Sequence, residues 1–187
     1  MADHVCPPWI GYFMASPIRK LFQHPTKILA PYVRPGMTAL DIGCAMGFFS
    51  VPLAELVGPT GRVVCLDVQE RMLKSLQKRV RKAGVAGRVE SRLVPKDGLG
   101  CGDLRGAVDF TLAFAMVHEV PDQRQFLADV YDCLVPGGKL LVSEPRGHVT
   151  EKKFEETLRT AQEAGFSIVD RPRIRGDHSA VLVKAAN

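Results

Sequence analysis

The chain has 187 residues, 46% hydrophobic and 24% charged, a balance that suits one soluble globular domain with a full hydrophobic core. Its net charge of +5 is a mild basic excess, compatible with an RNA or acidic-substrate partner without demanding one. No run approaches the roughly 18 apolar residues of a membrane span, and Met1-Ala-Asp-His-Val-Cys-Pro-Pro has an acid and two prolines where a signal peptide has a basic and then an apolar region, so a cytoplasmic protein is expected.

Five cysteines, at 6, 44, 65, 101 and 133, form no Cys-x-x-Cys pair, which argues against a disulfide framework and a structural zinc site; no metal is expected. Cys44, Cys65 and Cys133 fall in or beside core elements, whereas Cys6 and Cys101 lie in polar or Pro/Gly-rich surroundings and are expected to be accessible.

Residues 1–36 precede the first strand. Trp9, Ile10, Tyr12, Phe13, Met14, Ile18, Leu21 and Phe22 have approximate helical spacing, and a second short helix is expected around Thr26–Tyr32. The segment reads either as helices packed on the core or as a cap over a ligand cleft.

An alternation of strands and helices follows. Strands are predicted at Thr38–Ile42, Arg62–Val68, Arg88–Val94, Val108–Met116 and Lys139–Ser143. Helices fall at Phe48–Val57, Glu70–Ala83 and Asp122–Leu134, with Pro136-Gly137-Gly138 as the turn into the fifth strand. The alternation and the continuous apolar strands imply an α/β doubly wound sheet with helices on both faces. Beyond it, a helix at Glu151–Ala164 and strands at Phe166–Arg171 and His178–Lys184 predict an antiparallel C-terminal hairpin, giving seven strands in one domain, with 1–36 as an N-terminal helical cap and 37–187 as a Rossmann-like core.

In such a sheet the ligand lies outside the carboxyl ends of the strands. The first strand ends in Asp41 and enters the turn Gly43-Cys44-Ala45-Met46-Gly47, where glycines let a ligand approach the backbone. Asp67 stands about twenty residues beyond, where an acid can accept hydrogen bonds from ribose hydroxyls; the simpler reading is an acid capping the next helix. Two ligand classes use this layout, dinucleotides and S-adenosylmethionine. Phe48 occupies the position where a dinucleotide fold wants Gly or Ala, and Asp41 would repel a diphosphate while favouring a cationic amino group and sulfonium.

Asp41-Ile-Gly-Cys-Ala-Met-Gly47, Asp67, Val108-Asp-Phe-Thr-Leu-Ala-Phe114, Leu134-Val-Pro-Gly-Gly-Lys-Leu140 and the terminal hairpin together resemble the class I S-adenosylmethionine-dependent methyltransferases. Within them the chain is similar to the small methyltransferases related to ubiquinone/menaquinone-biosynthesis and arsenite methyltransferases. The resemblance, over roughly residues 36–185, implies that Asp41, Gly43, Cys44, Ala45 and Gly47 hold the methionine portion of S-adenosylmethionine and Asp67 its ribose. It further implies that Val68 and Met72 wall the adenine, and that Phe114 and Ala115 meet the cofactor's amino group. Ala45 replaces the family's middle glycine, tolerable where φ is negative, and Asp97 stands for the acid the family shows near the adenine amine.

Methyl transfer needs a base only when the acceptor carries a proton that must leave. His118 and Glu119, after the fourth strand, are the candidates, His118 as base and Glu119 to orient it; alternatively both only close the strand. The resemblance to arsenite methyltransferases, which bind a metalloid through cysteine thiolates, raises Cys6, Cys101 and Cys133 as such a set, though in no defensible ligand spacing, and the basic helix after Asp67 reads as a solvated face. The expected enzyme methylates a small-molecule acceptor, with no nucleic-acid or membrane partner, as monomer or homodimer. An RNA or metalloid methyltransferase, an NAD-dependent oxidoreductase and a non-catalytic S-adenosylmethionine-binding protein remain open.

Overall fold

A computed structural model describes residues 24–95 and 98–186. The apolar segment with Trp9, Tyr12 and Phe13 lies outside the described residues, as do Cys6 and Asp97. The chain divides into two compact units, Met1–Leu93 and Val94–Asn187.

The first unit begins with helix α1 (Pro25–Leu29). It ends earlier than the sequence predicts, because Pro31 lacks the N–H that another helical turn requires. Three parallel strands follow in the order β3-β2-β1: β1 (Thr38–Ile42), β2 (Arg62–Asp67) and β3 (Val89–Leu93). From their second residues onward β1 and β2 are buried continuously, as expected of parallel strands covered on both faces. Strand β3 is mixed in exposure and carries the Arg92–Glu90 ion pair at 2.7 Å, charges that suit a sheet edge.

Helix α2 (Ser50–Leu56) starts two residues later than predicted, since Gly47, at φ +84°, still belongs to the turn. Helix α3 (Glu70–Lys82) buries Met72, Leu73, Leu76 and Val80 and exposes Arg71, Lys74, Lys78, Arg81 and Lys82, while half-buried Arg79 donates to Met46 O at 3.4 Å. It closes in a Schellman motif: the N–H of Gly84 (φ +71°) donates to Arg81 O and that of Val85 to Val80 O, while both valines are buried.

The second unit holds strands β4 (Val108–Phe114), β5 (Leu134–Pro145), β6 (Phe166–Asp170) and β7 (Asp177–Lys184) in the order β4-β5-β7-β6. Strands β4 and β5 are parallel, and β7 runs antiparallel to both of its neighbours. The predicted terminal hairpin is present, with β7 rather than β6 against β5. Strand β5 differs most from expectation, starting at Leu134 instead of Lys139. Leu134 already pairs with Val108, and Pro136-Gly137-Gly138 is an irregularity inside the strand rather than a turn before it. Gly137 has φ +77°, and a Cβ on Gly138 would lie 2.8 Å from Val135 O.

Helix α4 (Gln123–Cys133) is capped by Asp122, whose carboxylate accepts the Gln125 N–H at 2.9 Å. At its other end Lys184 Nζ donates to Tyr131 O and Leu134 O at 2.8 and 2.9 Å, a cation where the helix dipole is negative. Helix α5 (Glu151–Glu163) is capped by Thr150 and buries Phe154, Thr157, Leu158 and Ala161.

Inside β4 the hydroxyl of Thr111 is fully buried and lacks a hydrogen-bond partner. An unsatisfied buried hydroxyl costs on the order of 1–3 kcal/mol. Thr111→Val is therefore expected to stabilise the protein by about 1 kcal/mol, seen in a urea melt as a higher midpoint at unchanged slope.

Candidate functional site

Gly43, Ala45 and Gly47 all adopt positive φ, at +70°, +46° and +84°. The turn is anchored to β2: the N–H groups of Gly43 and Cys44 donate to Leu66 O at 2.9 and 3.1 Å. Ala45 N–H donates to Asp67 Oδ2 at 2.9 Å, and Gln69 N–H to Asp67 Oδ1 at 2.8 Å. Asp67 is thus both the acid at the end of β2 and the clamp on the preceding loop. Burial raises its pKa, offset by the N–H groups of Gln69, Ala45 and Val68. A carboxylate has about four lone-pair positions, so acceptor capacity remains for a ligand.

The condition placed on Ala45 by its sequence is not met, because its φ is positive. A left-handed conformation costs an L-residue roughly 1–2 kcal/mol, and here the Asp67 bond holds it. Gly47 is constrained twice, by φ and by space: an added Cβ would lie 2.4 Å from Leu76 Cδ1.

Asp41 is 3% exposed and accepts one bond, from Ser50 Oγ at 2.5 Å. Desolvation lifts its pKa from 3.8 to about 7, with Ser50 lowering it and nearby Asp67 raising it. Near neutral pH the group is poised between acid and anion, and a cation beside it would favour the anion. Ser50 escaped the sequence analysis, which took it as an ordinary position on the following helix.

Cys44 is buried, its thiol pKa raised by a hydrogen bond with Cys65 and by burial. Val68 is 60% exposed, whereas Met72 is 4% exposed on the core side of α3. The second exposed apolar side chain at this end of the unit is Leu93, 54% exposed, at the last residue of β3 and in register with Asp67. Val68 and Leu93, not Met72, therefore present apolar surface beside the acid. A cavity of about 700 Å³ in the same unit is lined by His24, Lys27, Phe48, Val51, Glu55 and Arg79 among others. Gly47 also lines it, whereas Asp41 and Asp67 do not.

In the second unit Phe114 ends β4, and Ala115 follows at φ +56° with its N–H donating to Ser143 O at 2.7 Å. The chain then makes a 3-10 turn, Val117–Glu119, that carries His118 and Glu119. The partner of His118 Nδ1 is Glu144 Oε2, while Glu119 stands 4.0 Å from Nε2. The carboxylate bonded to His118 is thus that of Glu144, near the end of β5, rather than that of Glu119. Glu144 is 2% exposed and also accepts Val117 N–H at 2.7 Å. The bond to Glu144 raises the His118 pKa above its ordinary value, with burial opposing. The signal that flagged Asp67, an acid closing an apolar strand, was present at Glu144 too, but the predicted strand stopped one residue short.

Cys101 is buried, contrary to expectation, with its Sγ 2.9 Å from that of Cys133. Of the three cysteines considered for a metalloid, two therefore meet and Cys6 lies outside the described residues. Among the described residues no group of three or more His, Cys, Asp or Glu could hold a metal ion.

Solved structures similar to this chain include several methyltransferases. A S-adenosylmethionine-dependent methyltransferase from Aquifex aeolicus superposes with a TM-score of 0.84 at 23% identity, over 96% of this chain and 98% of that one. The [4+2]-cyclase SpnF gives 0.73 at 16% identity, over 88% and 82%. These likenesses show the fold: a Rossmann-like α/β sheet of seven strands, mostly parallel, with an antiparallel C-terminal pair.

Residues 34–173 match the family described as "Methyltransferase domain", and the chain belongs to that family. The Escherichia coli (strain K12 / DH10B) ubiquinone/menaquinone biosynthesis C-methyltransferase UbiE is 36% identical over 143 residues, 76% of this chain and 53% of the relative. The chain spans about half the length of the curated relatives it matches.

Two outcomes test the loop. Gly47→Ala combines a left-handed φ with the Leu76 contact and is expected to destabilise by about 2 kcal/mol or more in chemical denaturation. For Asp41 the folded pKa lies above the unfolded one, so the folded state binds more protons between pH 4 and 7, and stability falls as pH rises through that window. Asp41→Asn should flatten that dependence and raise stability at pH 8, by up to roughly 4 kcal/mol, as read from unfolding midpoints at each pH.

Proposed function

We propose that the chain binds S-adenosylmethionine at the turn after β1 and at Asp67, and transfers its methyl group to a small-molecule acceptor. The observation that carries this is the conjunction, in one unit, of a turn with three positive φ angles, a buried acid at its entrance and a second acid at the next strand end. The residues fit the donor. Gly43 and Gly47 offer backbone without side chains, Asp67 keeps acceptor capacity for hydroxyls, and Val68 and Leu93 offer exposed apolar surface to a flat ring. Asp41, poised near neutrality, suits a ligand that brings positive charge.

When bound, the donor supplies a methyl carbon made electrophilic by a sulfonium. What remains for the chain is to hold donor and acceptor in line and to exclude water. Where the acceptor has a proton to lose, His118 is the group to take it. The named relatives are C-methyltransferases of quinone biosynthesis, which makes a ring carbon of a quinone precursor the first acceptor to assay.

No described helix is long and apolar enough to cross a membrane. The reading extends to a cytoplasmic enzyme, one domain in function, acting as monomer or homodimer without a nucleic-acid partner.

Calorimetry with S-adenosylmethionine, S-adenosylhomocysteine and NADH is the first test. Binding of the first two and silence with the third is expected; NADH binding instead would turn the reading to an oxidoreductase. If the donor requires ionised Asp41, its affinity should fall about tenfold from pH 8 to pH 6, on either side of a pKa of about 7. Asp41→Asn should bind more weakly at pH 8 and lose that pH dependence.

A further inference from the structure

We propose that Glu144 is the positioning residue of a Glu144–His118 pair, in which His118 Nε2 takes a proton from the methyl acceptor; this rests on the methyl-transfer reading above. No feature of the sequence analysis used Glu144, and the loop that receives the donor does not involve it.

The placement follows from strand register. In the parallel β4–β5 pair Phe114 lies opposite Ser143, so the chain leaves β4 at the level of Glu144, which is still paired with His178 of β7. Ala115, at φ +56° and bonded to Ser143 O, bends the chain, and the turn Val117–Glu119 returns over the Glu144 carboxylate. Both carboxylate oxygens are then engaged: Oε1 by Val117 N–H and Oε2 by His118 Nδ1. Carboxylate oxygens on a residue 2% exposed are costly to leave unpaired, and a bond to a ring nitrogen satisfies one of them.

The bond decides the tautomer. With Nδ1–H donated to Glu144, the neutral ring carries its lone pair on Nε2. The His118 side chain is 23% exposed against 2% for Glu144, so the pair has a buried end and an accessible one. Among the described residues, three titratable groups face the ring: Glu144 from β5, Glu119 from its own turn with Oε1 4.0 Å from Nε2, and His148 from the segment after β5, edge-on with ring centroids 5.6 Å apart. Both carboxylates favour the imidazolium, burial opposes it, and the balance is a raised pKa.

In the proton step the acceptor's X–H bond breaks and its electron pair stays on X. An N–H bond forms at Nε2, the imidazolium rests beside the Glu144 carboxylate, and the proton later passes to water. The acceptor is thereby a weak acid whose conjugate base is the nucleophile, such as a phenol, an enol or a thiol. A tie that merely fastened the turn to β5 would need only an acceptor for Val117 N–H, which a glutamine amide oxygen also supplies. Glu144→Gln separates the two roles.

The test uses the full chain labelled with ¹⁵N-histidine, titrated from pH 5 to 10 by ¹H–¹⁵N correlation, with His118 assigned by its loss in His118→Asn. S-adenosylhomocysteine binding is measured alongside. Wild type should show the Nδ1–H tautomer at high pH and a midpoint above 6.5; Glu144→Gln should lower the midpoint by about one unit or more and mix the tautomers. With radiolabelled S-adenosylmethionine and a panel of phenols, thiols and amines, the acid limb of kcat should track that midpoint. In Glu144→Gln kcat should fall about tenfold or more with KM little changed. An Nε2–H tautomer in wild type, a midpoint unmoved by Glu144→Gln, an acid limb that ignores it, or no methylation across the panel overturns the proposal while S-adenosylhomocysteine still binds. Absence of S-adenosylhomocysteine binding in the wild type overturns the methyl-transfer reading itself.

Discussion

The carboxylate of Asp67 is the constraint on which the first unit's site depends. It accepts the N–H of Gln69, at the start of α3, and the N–H of Ala45, in the turn after β1. One side chain therefore fixes the start of a helix and holds a non-glycine residue in the left-handed region. Without that bond a turn containing Ala45 would have little reason to keep positive φ. The acid is held above its ordinary pKa mainly by burial, so what restrains the loop is itself sensitive to what replaces water around it.

Asp41 has the complementary character. It is more buried than Asp67, has a single side-chain donor and lies within the field of a second carboxylate. Such a group weakens the fold as it ionises, and a binding cation repays that cost. The second unit repeats the device with a different partner: Glu144 is as buried as Asp41 but is satisfied by an imidazole and a backbone amide. Two strand-end acids thus differ in how they are satisfied: Asp41 by a single hydroxyl, Glu144 by an imidazole and an amide on separate oxygens.

Much of this was legible in the sequence. Strand β1 was placed residue for residue, because Thr38–Ile42 is a short apolar run bounded by Gly36 and Gly43, and α3 was marked by its apolar face and by Gly84. The sequence leaves two readings of Asp67, ribose acid and helix cap; in the structure the acid is buried and accepts the N–H groups of Ala45 and Gln69, the latter just before α3. What escaped depends on pairing between distant segments. Leu134 is a strand residue only because Val108 lies beside it, and no local pattern at Pro136-Gly137-Gly138 distinguishes a bulge from a turn. Sequence adjacency points to Glu119 as partner of His118; the register of β4 with β5 brings Glu144, 26 positions away, closer. The reach of Cys101 to Cys133 was hidden in the same way.

The position of β7 bears on how the second unit is made. It pairs with β5 on one side and β6 on the other, although it follows both in the chain. During synthesis β6 therefore emerges before the strand that must lie between it and β5, and its half-exposed ribbon has no place to dock until Asp177–Lys184 has been translated. Lys184, at the end of that strand, then reaches the carbonyls of Tyr131 and Leu134. The second unit can complete its sheet only after β7 has been made, and until then the facing edges of β5 and β6 are open to aggregation or to chaperones.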